Sequence, residues 1–294
     1  MSWIALSIWA GFVWALGSIS DKFVLSKLVK KSVVPVIMTG AVGFIGGIIS
    51  ILVKGLEPLP LTHLLLALLA GFFFIMFAIF YFKAAQIEEV SRVTPLFYLS
   101  TLFTALIAGI FLGEIFTFTK YIGIALLFAG AMLISLRKPY SIRLGKAFWF
   151  MVLMAIFFAS NWVITKYLVT TSDVWTVFAY TRIGGFITLL HIVWINRSAL
   201  KETYAETKLK AYSIMTIKEF VTLSGVLSVT IAATSGYITL ISALTATHML
   251  FVLVFTIFLS LFLPKIIKED LDKNTVIIKV IATSSMLAGV YLVS

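Results

Sequence analysis

The chain has 294 residues, of which 61% are hydrophobic and 12% charged, with a net charge of +11 and no cysteine. A soluble domain carries about 25% charged residues. This composition, with a mean hydropathy of +1.11, therefore excludes an ordinary water-soluble globule, and the missing cysteine excludes a disulfide framework, thiolate catalysis and a cysteine metal site.

Crossing a hydrocarbon core takes about 20 helical residues. Residues 2–20, 32–53, 58–82, 93–113 and 147–165 hold no Asp, Glu, Lys or Arg, and residues 220–264 hold none over a length sufficient for two crossings. The backbone must satisfy its own hydrogen bonds in lipid, so these runs are expected to be helices. In chain order the expected spans are residues 2–20, 33–53, 61–82, 91–113, 117–136, 145–166, 174–195, 217–240, 245–264 and 275–294, with the last long run dividing near Ser242–Thr245. The first run lacks a basic start and a small-residue cleavage site, and reads as a retained helix. The expected fold is an all-α integral membrane protein of ten transmembrane helices, multi-pass in the cell membrane, with the lipid bilayer as one partner.

Charge gives these helices a side. Nineteen Lys and Arg residues fall in or beside the loops after helices 1, 3, 5, 7 and 9, against Lys54, Lys120 and Lys166 beside the others. By the positive-inside rule the odd loops are cytoplasmic and both termini extracellular. The same reading assigns the net charge to loops at a membrane face and leaves no nucleic-acid partner.

The chain also repeats itself. Residues 120–135 and 279–294, at a fixed offset, agree at Lys120/Lys279, Ile122/Ile281, the Ala-Gly pairs, Leu133/Leu292 and Ser135/Ser294. Ile87–Leu99 can be laid on Ile241–Leu253, and Trp14–Lys22 on Phe158–Lys166. The halves are residues 1–138 and 139–294, each of five helices. An odd number inverts the second copy, the usual ground plan of a secondary transporter with its site at the interface of the halves.

Residues Phe82-Lys-Ala-Ala-Gln-Ile-Glu-Glu-Val-Ser-Arg-Val-Thr-Pro95, an apolar run ending Phe-Leu-Gly-Glu114, then Gly123 and Ala129-Gly130, resemble the EamA-type pattern of the drug/metabolite transporter superfamily, as does Trp14-Ala-Leu-Gly17. The resemblance implies two inverted five-helix repeats and alternating-access movement of small organic solutes, often amino acids or other metabolites. The second half departs from it, with Met249 in place of Pro95 and Leu263-Pro264-Lys265-Ile266 in place of the Gly-Glu pair. The extracellular termini also depart from the cytoplasmic ones expected of many such proteins.

Candidate substrate-binding residues are Trp14, Ser18, Tyr98, Asn161, Trp162, Tyr180, Arg182, Tyr237 and His248. A mid-bilayer Arg is expensive, at about 2.5–3.5 kcal/mol on insertion scales, and normally faces an interior cavity or partner. Arg182 thus reads either as a structural anchor or as a contact to an anionic substrate. His248 titrates near neutrality when unperturbed and reads as a hydrogen-bonded interior His or a proton carrier. Trp14 and Ser18, four apart, share a helix face, with Asn161 and Trp162 at the corresponding level of helix 6. Such a set can line a pocket that stacks on apolar or cationic solutes, or belt the interface. Lys22 and Lys166 read as snorkelling to headgroups, and Gly43-x-x-x-Gly47, Gly130 and Gly289 as close-packing points. No helix is expected to carry a central Asp or Glu. No phosphate loop, nucleophile elbow or zinc-protease motif is present; no metal or other cofactor is expected, and the protein is expected not to be an enzyme.

The functional expectation is a secondary active or facilitative transporter of a small organic metabolite, an amino acid or similar, working as a monomer or a homodimer. The alternatives are a flippase of a lipid or lipid-linked sugar on the same fold and, from another class, an integral-membrane enzyme, which a buried cluster of titratable residues would favour. A single cysteine introduced into the Arg197–Lys218 stretch is expected to react with a membrane-impermeant maleimide only from the cytoplasmic face. Labelling from outside intact cells overturns the topology.

Overall fold

The computed structural model describes residues 2–27, 29, 32–87, 94–135, 145–197, 209–262 and 273–293. Among these residues every regular element is helical. The elements are α1 (Trp3–Lys27), α2 (Val33–Lys54), α3 (Leu61–Ile87), a 3-10 turn (Thr94–Tyr98) leading into α4 (Leu99–Phe111), α5 (Phe118–Ser135), α6 (Lys146–Val169), α7 (Val174–Ile195), α8 (Leu209–Ala232), α9 (Ile238–Thr245), α10 (His248–Phe262) and α11 (Lys273–Val293). Seven stretches are long and apolar enough to cross a membrane, the seventh being Ile238–Leu259, which joins α9 and α10. Three shorter apolar helices cover Leu96–Phe111, Phe118–Gly130 and Val280–Val293.

The major packing partners are α3 with α6, α1 with α8, α5 with α11 and α2 with α7; α3 also meets α7, and α8 meets α2. Between helices in lipid there is no hydrophobic driving force, so small residues that let backbones approach carry much of the association. At the α3–α7 crossing a Cβ on Gly71 would stand 2.2 Å from the Thr181 carbonyl oxygen, and one on Gly184 2.5 Å from that of Leu68. At the α5–α11 crossing a Cβ on Gly130 would lie 2.8 Å from the Ala282 oxygen, and one on Gly289 2.8 Å from the Gly123 oxygen. Gly43 and Gly47 of α2 lie against the Arg182 side chain of α7. The contacts at Gly71, Gly184, Gly130 and Gly289 are backbone approaches that no larger residue could make.

Helix ends are satisfied by charged side chains from elsewhere in the chain. Gly113 turns the chain after α4 with φ +66°, a left-handed conformation that glycine adopts without strain. The buried Glu114 that follows accepts hydrogen bonds from the Ile238 N–H at 2.8 Å and the Thr239 N–H at 3.0 Å, the first amides of α9. Lys166 near the end of α6 donates to the Ala233 carbonyl at 2.7 Å and the Gly236 carbonyl at 2.9 Å, beyond the end of α8. It is a helix cap, not a headgroup contact. The side chain of Lys22, its counterpart in the repeat, lies outside the described residues, as does that of Pro95.

Three boundaries differ from the sequence reading. The turn between α8 and α9 falls at 233–237, upstream of Ser242–Thr245, where Glu114 and Lys166 satisfy the helix ends. The expected position instead adjoins a second, shorter break, at Ala246–Thr247, which separates α9 from α10. Finally, α8 begins at Leu209, two turns earlier than expected, so Lys218 and Glu219 lie inside a helix and are buried. A central Glu is thus present where none was expected, and Lys218 is no loop charge.

Gly71→Ala is expected to destabilise the fold by about 1–3 kcal/mol, as overpacking does. Gly109→Ala, whose Cβ would meet only the Glu114 oxygen at 3.7 Å, is expected to be neutral or stabilising. Thermal unfolding in detergent distinguishes the two.

Candidate functional site

A cavity of about 120 Å³ opens between α1, α3, α8 and the 3-10 turn, with Ser100 and Thr101 of α4 and single residues from α2, α6, α9 and α10 completing its wall. Its sides are aromatic: Trp14, Phe74, Phe77, Tyr81, Phe82, Phe97, Tyr98 and Phe158. Gly225 of α8 makes room for the Trp14 indole, whose Nε1 donates to the Thr222 carbonyl at 3.1 Å. Trp14 and Phe158, which correspond in the repeat, meet with ring centroids 6.3 Å apart.

One end of the cavity is ionic. The Lys218 ammonium on α8 donates to Asp21 Oδ1 on α1 at 2.9 Å and to Glu219 Oε1 beside it at 2.5 Å. Thr39 Oγ1 of α2 stands 2.8 Å from Glu219 Oε1, and Thr222 Oγ1 lies 3.3 Å from Oε2. Three helices are therefore joined at one buried cluster whose desolvation is offset only by this mutual pairing. At the other polar point, His248 sits at the first position of α10, just past the break. Ser18 Oγ lies 2.9 Å from its Nε2 and the Tyr98 hydroxyl 2.7 Å from its Nδ1. The break places a turn of backbone where it faces a cavity, the setting in which irregular backbone is tolerated at membrane depth.

The model of the EamA-like transporter family matches residues 1–136. Over these residues the chain is similar to that family, which forms part of the drug/metabolite transporter superfamily. With seven candidate spans the chain is a multi-pass membrane protein. No curated protein matches the sequence. A solved structure described as "Crystal structure of protein" is similar in fold, with a TM-score of 0.71, 14% identity, and coverage of 99% of this chain and 96% of that one. At that identity the likeness shows the fold alone.

The EamA-like resemblance now has a physical content. Gly113-Glu114, its most specific part, is the turn and carboxylate that cap α9. Of the nine candidate residues, Trp14, Ser18, Tyr98 and His248 line this cavity. The other five stand elsewhere. Asn161 Nδ2 donates to the Ala70 carbonyl at 2.8 Å, tying α6 to α3. Trp162 is buried edge-on against Phe158, and Tyr180 packs half-buried against the core. Arg182 lies with its guanidinium carbon 4.1 Å from the Phe74 ring centroid, its Nε without a hydrogen-bond partner. Tyr237 is 55% exposed at the N-cap of α9, edge-on to Phe116. Sequence reasoning missed Asp21, Lys218, Glu219, Thr39 and Thr222. The available signal was the spacing of Thr222 from Lys218 and Glu219, four and three residues, which sets its hydroxyl beside both charged groups on the helix surface.

Lys218→Met leaves two buried carboxylates without their counter-charge and is expected to cost about 3–5 kcal/mol of stability. Lys218→Arg is expected to retain most of it. The unfolding midpoints of the purified variants check both.

Proposed function

We propose that the chain is a secondary transporter of a small organic metabolite, an amino acid or similar, and not an enzyme. It carries its solute through the cavity by alternating access across the cell membrane, with both termini extracellular. The observation that carries this reading is the cavity itself: an aromatic and polar space walled by both halves of the chain, Trp14, Thr39, Phe74 and Tyr98 from one and Phe158, Thr222, Thr245 and His248 from the other.

The packing supports a division into five-helix halves, 1–138 and 139–294, the second inverted. With α9 and α10 taken as one crossing, ten crossings result, and exchanging the halves turns each of the most extensive contacts into another that is also made. The α1–α8 pair becomes α6–α3, α4–α6 becomes α9/α10–α1, and α2–α7 and α5–α11 map onto themselves. Sites at such repeat interfaces, beside interrupted helices, are the transporter arrangement.

A flippase calls for a basic rim, whereas the described charges of this cavity are two acids and one lysine. The buried titratable cluster that would favour an enzyme exists, but Asp21, Lys218 and Glu219 are occupied with one another. Ser18, although next to His248, sits within a helix whose backbone amides are already bonded, which leaves no cradle for an oxyanion.

Reconstituted into proteoliposomes and offered a panel of labelled amino acids, amines, sugars and organic acids, the protein is expected to show saturable counterflow of at least one. Trp14→Ala is expected to reduce it by about tenfold or more, the scale of a lost aromatic contact. Scrambling of a fluorescent lipid with no solute flux would overturn the reading in favour of the flippase.

A further inference from the structure

We propose that the cavity selects a small organic cation, a protonated amine with an apolar or aromatic body. This rests on the transporter reading and names the substrate class of the same site.

The first argument is charge balance. Among the described residues, the ionisable groups on the cavity wall are Asp21 from α1, Tyr81 from α3, Tyr98 from the 3-10 turn, Lys218 and Glu219 from α8, and His248 from α10. The described wall residues of α2, α4, α6 and α9 are Thr39, Ser100, Thr101, Phe158 and Thr245, none of which ionises. With the acids ionised, the lysine protonated and the His and Tyr side chains neutral, the wall holds two negative charges and one positive. An unbalanced charge in so apolar a setting is costly, and a bound monocation removes the imbalance.

The second argument is the donor inventory. An anionic ligand needs N–H or O–H donors, and those of the wall are engaged apart from the Tyr81 hydroxyl. The Lys218 ammonium already serves two carboxylates. Thr39 and Thr222 approach Glu219, the Trp14 N–H is bonded to the Thr222 carbonyl, and Ser18 and Tyr98 face the two nitrogens of His248. Arg182, the obvious anion partner in the sequence, does not line the cavity. What the wall offers instead is aromatic surface beside surplus negative charge, the combination that recognises ammonium groups. A zwitterionic amino acid brings a carboxylate for which a single neutral hydroxyl, that of Tyr81, is left.

The test uses purified protein in lipid nanodiscs and three matched probes by calorimetry: 2-phenylethylammonium, phenylalanine, which adds a carboxylate, and 2-phenylethanol, which lacks the charge. The amine is expected to bind about tenfold or more tighter than either relative. Asp21→Asn and Glu219→Gln each remove the charge imbalance, and either is expected to abolish that preference while binding of 2-phenylethanol is retained. Monodisperse elution checks that the variants fold, and the wild-type comparison of the three probes stands without them. Equal or tighter binding of phenylalanine or of the alcohol overturns the proposal, as does unchanged amine preference in both folded variants or failure of all three probes to bind. In each of those cases the transporter reading still stands if proteoliposomes accumulate some other solute.

Discussion

In an apolar chain a helix can stop only where something takes over its backbone hydrogen bonds. The turn at 233–237 meets that condition with two side chains of opposite sign. Glu114 takes the free amides at the start of α9, and Lys166 takes free carbonyls beyond the end of α8. Each charge also suits the helix end it meets, a carboxylate at an N-terminus and an ammonium at a C-terminus. The two arrive from the loop after α4 and from α6, so the turn is clamped by two other parts of the chain. The course of α8, α9 and α10, and with it the side of the cavity that holds Lys218, Glu219 and His248, follows from this clamp.

A second interruption, at Ala246–Thr247, is handled differently. The turn closes on itself through bonds from Thr247 and Met249 to carbonyls three residues back. Gly11 on α1 lets that helix run close against it, since a Cβ there would stand 2.9 Å from Thr247 Oγ1. Thr245 and His248 on either side of the break therefore face α1 and the cavity, and Ser18, two turns along α1 from Gly11, reaches the His248 ring. A break held by short-range and neutral hydrogen bonds is softer than one held by two charges. Local opening concentrates where buried support is least, so movement around the cavity is expected at this break before the clamped turn.

Much of the fold was legible because the sequence signal and the physical constraint coincide. Apolar runs gave α2, α5, α6 and α7 nearly to their ends, and Gly130 and Gly289 read correctly as contact points because only glycine permits that approach. The site was half legible. Trp14, Ser18, Tyr98 and His248 were found because aromatic and hydroxyl groups within apolar helices need a polar interior. Lys218 and Glu219 were lost because a charge next to an apolar run reads as the loop outside it. Nothing local corrects that reading, since the partner that makes the lysine's burial tolerable is Asp21, 197 residues away. Lys166 failed for the same reason: its cap is on a distant helix. Arg182 was singled out for its cost, and the structure surrounds it with Gly43, Gly47, Phe74 and Phe178 instead of placing it on the cavity wall.

The two helix pairs that exchange under the proposed inversion are equivalent in packing and opposite in chemistry. Between α3 and α6 the contact is dry and aromatic, with Phe77 on Phe158 at 4.7 Å, Phe80 stacked on Phe157 at 5.6 Å, and one buried amide bond from Asn161. Between α1 and α8 the contact carries the ion cluster and the cavity. A mostly dispersive interface with one hydrogen bond can slide between similar arrangements at small cost, whereas the ionic one has a few discrete pairings set by Asp21, Lys218 and Glu219. If the halves rock, α3–α6 then serves as the bearing, and α1–α8 is where a solute's charge can shift the balance between states. A ligand moves such an equilibrium only by its differential affinity for the two arrangements, and the unbalanced cluster on α1 and α8 is the part of the described cavity wall where a unit of charge makes that difference large.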